Sequence, residues 1–212
     1  MIIAIDGPLA SGKGEIGRRL AQELRLPRLD TGLLYRAVAV LAADHAVPLS
    51  DPEGLAGLAA TIDAALLDDP RLRSLEAGQC ASIVAALPAV RAALLEAQRS
   101  FARDPRGAIL DGRDIGTVVC PEAHAKLYVF ADETTRAWRR WREATDRGEA
   151  ADLDEVLRQL RERDRRDRER STAPLEIAPD AFLLDTSALS IDAAFQKALA
   201  FVRERQSQSA SA

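Results

Sequence analysis

Asparagine is absent from this sequence of 212 residues, and lysine, cysteine and histidine are scarce. Without asparagine the chain cannot contain the N-K-x-D motif with which GTPases read guanine. Its two cysteines, Cys80 and Cys120, form no C-x-x-C pair and cannot build a disulfide framework, so we expect a reducing, cytoplasmic setting. The two histidines, His45 and His124, stand alone, without the spacing of metal ligands.

Long apolar runs and a strong net charge are also missing. No segment approaches the ~20 apolar residues that a membrane-spanning helix needs. The net charge of -4 gives no reason to expect nucleic acid or an acidic membrane as a partner. The length suits one folding unit over 1–212. We expect a monomer that acts on small molecules.

Five short apolar runs alternate with helical patterns along the chain. Continuous apolar runs are typical of strands covered on both faces, and their alternation with helices predicts a parallel sheet in a three-layer α/β fold. Four of the runs end at an aspartate, at the edge of the sheet where such folds bind ligands, although an aspartate there is more often a helix cap or turn former. The runs are 2–6, 26–30, 108–111, 126–131 and 181–185.

Seven helical patterns fill the intervals between these runs. The region from about 47 to 106 is helical without a strand, so we interpret it as an insertion between the second and third strands. Trp138 and Trp141 lie three residues apart on an arginine-rich helix, which favours packing over base stacking. The patterns are 12–24, 33–45, 53–67, 76–103 with a break near Pro88, 133–147, 152–170 and 190–205.

The stretch GPLASGKGE follows the first predicted strand and precedes the helical pattern EIGRRLAQELR. It completes the pattern G-x-x-x-x-G-K. Glycines let the backbone turn its N–H groups around phosphate oxygens, and the helix N-terminus adds the positive end of its dipole. We therefore predict that the phosphates of a nucleoside triphosphate bind here, at Gly7, Pro8, Leu9, Ala10, Ser11, Gly12, Lys13, Gly14 and Glu15.

Lys13 stands out because the chain has only two other lysines, Lys126 and Lys197, so arginine supplies 26 of its 29 basic residues. A compact, flexible ammonium in this loop can reach the terminal phosphates of a triphosphate. With the guanine motif excluded, small-molecule kinases are favoured over GTPases and motor ATPases.

Phosphoryl transfer needs cations that converge from several elements, because charge must be neutralised while two oxygens are held in line. Arg36 follows the second strand, Arg91 lies in the insertion and Arg113 follows the third strand. These positions fit that requirement.

A denser basic run, RERDRRDRER, fills 161–170. On a helix that turns ~100° per residue, Arg163, Asp167 and Arg170 share one face, which can address one ligand. Gly148 and Pro174 flank the run as candidate hinges, so we interpret about 145–174 as a lid. The alternative interpretation is a solvated helix with ion pairs between neighbouring turns.

Six stretches, in order over nearly the whole chain, resemble the bacterial cytidylate kinase (CMP kinase) family of P-loop nucleoside monophosphate kinases. The resemblance implies a P-loop NTPase fold with a five-stranded parallel sheet, a helical acceptor-binding insert and a short lid. It also implies ATP with Mg²⁺ as the donor, and CMP and dCMP as acceptors. The stretches are IAIDGPLASGKG, LDTGLLYRA, ASIVAALPAVR, DGRDIGTVVCP, RERDRRDRERSTAPL and LLDTSALSIDAAFQKAL.

The resemblance also implies roles for single residues. The residues that read cytosine are Ser82, Arg91 and Asp114. Those on the acceptor phosphate are Arg36 and Arg113, and Thr31 and Tyr35 match the acceptor-side pattern DTGxxYR. In the lid, Asp167 meets the sugar, and Arg163 and Arg170 meet the phosphates.

The chemistry of the residues agrees with these roles. Cytosine offers an amino donor to a carboxylate and two acceptors to arginine and serine. No general base is required, because a phosphate oxygen of CMP is already an anionic nucleophile. Catalysis then reduces to alignment and to charge neutralisation, by Lys13, Arg113, Arg163 and Arg170.

Two departures from the family pattern leave alternatives open. Glu15 stands where the family usually has a hydroxyl, and we expect its side chain to turn to solvent, stabilised by the helix dipole. The chain from Tyr35 to Ser82 is also short and lacks a recognisable β-hairpin. The alternatives are a nucleotide-binding switch with little turnover, a kinase with a different acceptor, and an RNA-binding module at 161–170.

Overall fold

The computed structural model describes residues 1–210 and places a five-stranded sheet at their centre. The strands are β1 (Ile2–Asp6), β2 (Arg28–Asp30), β3 (Ala108–Gly112), β4 (Ala125–Phe130) and β5 (Phe182–Asp185). All neighbours are parallel, in the order β2-β3-β1-β4-β5. The predicted parallel sheet is confirmed, with each strand within two residues of its predicted run at either end.

Eight α-helices connect and cover these strands in the described residues. Aspartates begin several of them: Asp30, Asp132 and Asp152 each accept a hydrogen bond from a backbone N–H of the first turn. The helices are α1 (Lys13–Leu24), α2 (Thr31–Asp44), α3 (Pro52–Ala59), α4 (Leu75–Val84), α5 (Pro88–Ala102), α6 (Glu133–Asp146), α7 (Leu153–Glu169) and α8 (Ile191–Ala210).

The predicted helix at 53–67 is wrong in its second half. α3 ends at Ala59, and two short 3₁₀ turns follow, at Leu66–Asp68 and Pro70–Arg73. Asp63 and Asp69 accept hydrogen bonds from the amides of the turns that follow them, so these side chains stabilise separate turns in place of a continuous helix.

A single π-helical turn at Ile115–Val119 was not predicted. It follows β3 directly and packs on the sheet through Ile115 and Val119. Wide turns of this kind occur often at functional sites, because they redirect the chain and its side chains.

Each face of the sheet is covered by apolar side chains. One face packs on α1 and α8, and the other on α5 and the π turn. A further cluster joins α2 to α3, α4 and α5, with Val38, Leu55, Val84 and Leu94 at its centre. The helices between β2 and β3 are therefore anchored on α2, which begins directly at the end of β2.

Within residues 1–210 no single helix is long and apolar enough to cross a membrane. The pair α4 and α5 has the length and composition only when the two are joined, and they are bent by 102° at their junction.

Candidate active site

The loop between β1 and α1 turns on two glycines. Gly7 has a φ of 149°, and a Cβ on it would lie 1.9 Å from the carbonyl oxygen of Val129. Gly12 precedes α1 in the left-handed region, with a φ of 90°. A side chain would clash at Gly7 and strain the backbone at both positions, which is the steric reason for the glycine pattern.

Several hydrogen-bond donors of the loop are available to a ligand. No side chain caps α1, so its first N–H groups are available to an anion. The hydroxyl of Ser11 is buried without a hydrogen-bond partner in the described part of the chain. Lys13 Nζ donates to the carbonyl oxygen of Pro8 at 3.1 Å, inside the loop itself.

The surroundings of Lys13 lower its pKa to about 7. Burial is the main cause, because it withholds water from the ammonium, and repulsion by Arg113 is the next. Attraction to Asp111 and Asp30 opposes both effects. An anion in the loop would restore the positive charge of Lys13, so the electrostatics favour a phosphate ligand.

Asp6, the last residue of β1, holds the chain that follows β3. Its carboxylate accepts hydrogen bonds from Ile115 N at 2.8 Å and Gly116 N at 2.7 Å. Burial raises the pKa of Asp6 to about 6, although both amides act in the opposite direction. These bonds fix the start of the π turn beside the phosphate loop, together with Arg113 and Asp114, which precede it.

Four arginines from four elements lie close together beyond the carboxyl ends of the strands. Burial lowers the pKa of Arg36 to about 10 and that of Arg163 to about 9, and mutual repulsion within the group adds to both shifts. Arg113 also acts on Lys13. The group, which we call the cation cluster, consists of Arg36, Arg113, Arg140 and Arg163.

The cation cluster is held by few carboxylates. Arg113 Nε donates to Asp167 Oδ2 at 2.9 Å, and Arg163 Nε lies 3.9 Å from the same oxygen. Arg36 and Arg163 donate instead to backbone carbonyls, at Leu72, Ser74 and Gly78. Carbonyls carry no full negative charge, so the cluster retains a surplus of positive charge.

A second group of predicted residues surrounds Asp114. Arg91 Nη2 donates to Asp114 Oδ2, and both side chains are buried. The Arg91 guanidinium lies 5.5 Å from the centroid of the Tyr35 ring, a cation–π distance. Ser82, the third predicted reader of cytosine, is buried on α4, and its hydroxyl has no hydrogen-bond partner among the described residues, so no hydrogen bond joins it to this group.

Arg170 belongs to this second group. Its Nη2 donates to Asp114 Oδ1 at 3.3 Å, and its Nε donates to the carbonyl oxygen of Ala173 at 2.6 Å. The resemblance placed Arg170 on the phosphates, whereas here its partner is the proposed reader of cytosine. Thr31 lies close by and donates its hydroxyl to the carbonyl oxygen of Asp111 at 2.9 Å.

Arg163 and Asp167, on one face of α7, line one cavity together with Arg170, which follows the helix in an extended conformation, and with Thr31, Tyr35, Arg91, Arg113 and Asp114. We call this cavity the acceptor cleft. Its volume is about 30 Å³, room for roughly two water molecules. A nucleotide therefore requires the cleft to widen.

A larger cavity of about 580 Å³ borders the start of α1, and we call it the donor cavity. Its volume is in the usual range for a small-molecule site. It is lined by Ala10, Gly12, Glu15, Ile16, Trp138, Arg139, Arg142, Glu143, Asp146, Thr186, Leu189, Ile191 and Ala194.

Glu15 lies at this cavity with its charge directed along α1. Its carboxylate accepts from Arg18 Nε and Arg19 Nε, each at 2.8 Å. The hydrogen bonds from Arg18, and then those from Arg19, lower the pKa of Glu15 to about 2. Arg19 also pairs with Asp192 on α8, so Glu15 takes part in a surface network instead of facing the loop amides.

Asp111, within β3, is the carboxylate that attracts Lys13 most strongly. Arg28 Nε donates to its Oδ2 at 2.8 Å, while Oδ1 lies 3.9 Å from the position that a Cβ on Gly14 would occupy. Burial, and then repulsion by Asp30, raises the pKa of Asp111 to about 7. Residues 1–210 contain no group of three or more histidine, cysteine or acidic side chains that could hold a metal ion.

Sequence reasoning missed three arginines on α6. Arg136 Nη1 donates to the carbonyl oxygen of Leu9 in the phosphate loop at 3.1 Å, and its Nη2 lies 2.7 Å from Asp164 on α7. Arg139 donates to Thr186, and Arg140 joins the cation cluster. Their spacing places them on one helix face. The helical periodicity that was applied to 161–170 therefore identifies them as well.

The expectation that both tryptophans pack is wrong for Trp138. Trp141 Nε1 donates to the carbonyl oxygen of Ala151 at 3.0 Å, and this side chain is half-buried. Trp138 is 47% exposed and lines the donor cavity.

A glycine loop that opens a helix after β1, beside a parallel sheet and a cluster of cations, defines a P-loop nucleotide-binding protein. The family model described as cytidylate kinase matches residues 3–204. The chain belongs to the cytidylate kinase family.

Relatives support this membership over nearly the whole chain. A cytidylate kinase of Cereibacter sphaeroides is 57% identical over 206 residues and covers 97% of both chains. One of Xanthobacter autotrophicus is 54% identical, covering 97% of this chain and 99% of its own.

Two solved structures share the fold. An uncharacterized protein from Eubacterium ventriosum has a TM-score of 0.56 at 13% identity, covering 96% of this chain and 98% of its own. TT1252 from Thermus thermophilus has a TM-score of 0.50 at 22% identity and covers 96% of each chain.

Proposed function

We propose that this protein transfers the terminal phosphoryl group of ATP to CMP and dCMP. The observation that carries the proposal is the proximity of Lys13, in the phosphate loop, to Arg113 and Arg163, which line the acceptor cleft. A triphosphate bound in the loop and a nucleoside monophosphate bound in the cleft would bring their phosphates together beside these three positive side chains. Relatives of this chain are named cytidylate kinase, which supports the same reaction.

The residues act by neutralising charge. The phosphoryl group in flight carries negative charge on its equatorial oxygens, and Lys13, Arg113 and Arg163 are placed to offset it. The acceptor oxygen of CMP needs no base, because it is anionic at neutral pH. Arg36 and Arg140 add charge at the acceptor phosphate, since both belong to the cation cluster.

Cytosine is read by Asp114, Arg91 and Ser82 in this proposal. The buried carboxylate of Asp114 accepts a hydrogen bond from the cytosine amino group, for which uracil has a carbonyl. The unpaired hydroxyl of Ser82 supplies a further polar contact.

We expect dCMP to be accepted because Asp167 has a hydrogen-bond partner within the protein. Its carboxylate already accepts a hydrogen bond from Arg113, so loss of the sugar 2′-hydroxyl leaves no bare buried charge. A buried polar group left without a partner is what usually makes a site reject an analogue.

Mg²⁺ fits the donor side of this site. The ion prefers oxygen ligands and is commonly held by one or two carboxylates, water and substrate phosphates, so a complete protein cage is not needed. Asp111 is the residue that would hold it, through water, because Oδ1 lies next to Gly14. When bound, Mg²⁺ would offset charge on the donor phosphates.

Two segments would move with substrate. We propose that the helices of about 47–106 form the acceptor-binding insert and that about 145–174 form the lid. The small volume of the acceptor cleft supports this, because CMP can enter only if α7, with Arg163 and Asp167, and the following Arg170 withdraw from Arg113 and Asp114. We further propose that the protein acts as a monomer.

The test is a coupled assay of ADP release with ATP, Mg²⁺ and each nucleoside monophosphate. We expect CMP and dCMP to be used well, and UMP, AMP and GMP poorly. Equal rates with UMP and CMP would contradict the cytosine assignment. Tight ATP binding without turnover on any acceptor would favour the nucleotide switch instead.

A further inference from the structure

The donor cavity contains an aromatic side chain that the mechanism above does not use. Trp138, on α6, leaves 47% of its surface exposed and lines this cavity. Exposure of so large an apolar surface is unfavourable in water, and a tryptophan in a cavity wall offers a flat face to a ligand. The other tryptophan of the helix, Trp141, has its ring nitrogen bonded to the backbone.

The Trp138 ring has a neighbour that fixes its position. The guanidinium of Arg142 lies 5.3 Å from its centroid, within cation–π range, and Arg142 lines the same cavity. Arg142 also lies 3.8 Å from Asp146, one turn further along α6. Because Arg142 lies over one face of the ring, a flat ligand would stack on the other face.

The other walls of the donor cavity suit an aromatic base. Leu189 and Ile191 contribute apolar surface from the segment that begins α8, and Ile191 is itself 36% exposed. Gly12 and Ala10 belong to the phosphate loop. The cavity therefore extends from the phosphate loop to an apolar region that includes Trp138.

We propose that Trp138 is a donor-specificity residue whose indole contacts the base of the nucleoside triphosphate and favours a purine over a pyrimidine. This rests on the proposed function, because it assumes that the triphosphate lies in the phosphate loop. A purine has two fused rings and covers more of the indole than a pyrimidine does, so it gains more from stacking. The base is distant from the migrating phosphoryl group, so the contact acts on donor binding.

Kinetics separate this contact from a structural role. Stacking on one aromatic side chain is worth roughly a ten-fold change in affinity, so Trp138→Ala is expected to raise the ATP KM about ten-fold. The kcat at saturating ATP and the CMP KM are expected to stay near their original values. Trp138→Phe keeps an aromatic face and is expected to recover most of the ATP affinity.

Donor preference gives a second readout. In the unmodified protein kcat/KM is expected to be higher with ATP than with UTP, and Trp138→Ala is expected to reduce this ratio several-fold. A variant that was merely unstable would lose activity with both donors alike and would leave the ratio unchanged.

Binding can be observed without catalysis. Trp141→Phe leaves Trp138 as the only tryptophan, so its fluorescence reports on this site alone. ATP is expected to change that emission with a dissociation constant close to its KM. Inorganic tripolyphosphate fills the phosphate loop but has no base, so it is expected to compete with ATP while leaving the emission almost unchanged.

Several outcomes would overturn the proposal. They are an unchanged ATP KM and donor ratio in Trp138→Ala, equal emission changes with ATP and tripolyphosphate, or no recovery in Trp138→Phe. If Trp141→Phe binds ATP with the emission change but the unmodified protein phosphorylates no nucleoside monophosphate, the proposed function fails while the base contact stands. The two failures are therefore distinguishable.

Discussion

Arg170 Nη2 donates to Asp114 Oδ1 at 3.3 Å, so the end of α7 is joined to the residue that follows β3 and Arg113. Asp114 thus holds two guanidinium groups, because Arg91 occupies its other oxygen. Each oxygen of Asp114 can accept a second hydrogen bond, so a base bound there shares the carboxylate with these arginines. Cytosine recognition and the opening of the cleft are then coupled through one carboxylate.

Asp114→Asn tests this coupling. The amide keeps the shape of the side chain but removes the charge that Arg91 and Arg170 share, so we expect the CMP KM to rise at least ten-fold and the preference over UMP to fall. Breaking a buried ion pair typically costs about 3 kcal/mol of stability or more, so the melting temperature should fall as well. Asp104→Asn, the same change beside Arg106 on the surface, is the control and should alter neither.

Lys13→Ala should lower kcat by roughly 100-fold or more, the usual cost of removing one preorganised charge at a transition state. The fold should survive, because the Lys13 ammonium lies in a setting that disfavours its charge. Steady-state rates and thermal melting, measured together, check both expectations. Lys197→Ala, at an exposed position on α8, should leave both unchanged, and a Lys13→Ala protein with most of its activity would exclude the loop as the donor site.

Binding of ATP should be linked to proton uptake above pH 7. The pKa of Lys13 is about 7 in the free protein, mainly through burial. A bound polyphosphate favours the charged form and raises this pKa, so at pH 8 a proton is taken up on binding, whereas at pH 6 Lys13 is already protonated. Calorimetry in buffers of different ionisation enthalpy measures this uptake, and Lys13→Arg should lack it. Equal uptake in that variant would assign the proton to another group.

Glu15→Thr should have little effect on catalysis, because the Glu15 carboxylate is held by Arg18 and Arg19. We expect the ATP KM and kcat to stay within about two-fold. The loss of an acid from the first turn should cost about 0.5 to 1 kcal/mol of stability. ATP titrations at several Mg²⁺ concentrations check the first point, with Glu23→Thr, on the same helix but paired with Arg203, as the control. A large gain in ATP affinity would show that Glu15 opposes the phosphates in solution.

The features predicted from sequence are those that local sequence determines. The phosphate loop follows from Gly7, where a side chain would meet the backbone, and from Gly12, whose backbone is left-handed. The strands follow from short continuous apolar runs. The face shared by Arg163 and Asp167 follows from helical periodicity alone, whereas Arg170 follows the end of α7 in an extended conformation.

Other features depend on contacts that the sequence does not display. The strand order is set by which apolar faces meet across the sheet. Arg170 lies at Asp114 because of where the end of α7 packs. Helical periodicity predicts which side of a helix a residue occupies, but not which part of a neighbouring element that residue meets. Arg140 and Arg163, on the consecutive helices α6 and α7, meet Arg36, on α2, which is distant from them in sequence.

The order of the strands has a consequence for synthesis on the ribosome. β1 and β2 both pair with β3 and are not neighbours of each other, and Ile2 meets its partner Ala108 only 106 residues later. At a translation rate of roughly 5 to 20 residues per second, the first strand waits about 5 to 20 s for a partner. The phosphate loop, although made first, is therefore among the last parts of the nascent chain to take its final form. Until then, the apolar strand before it is exposed to chaperones and proteases.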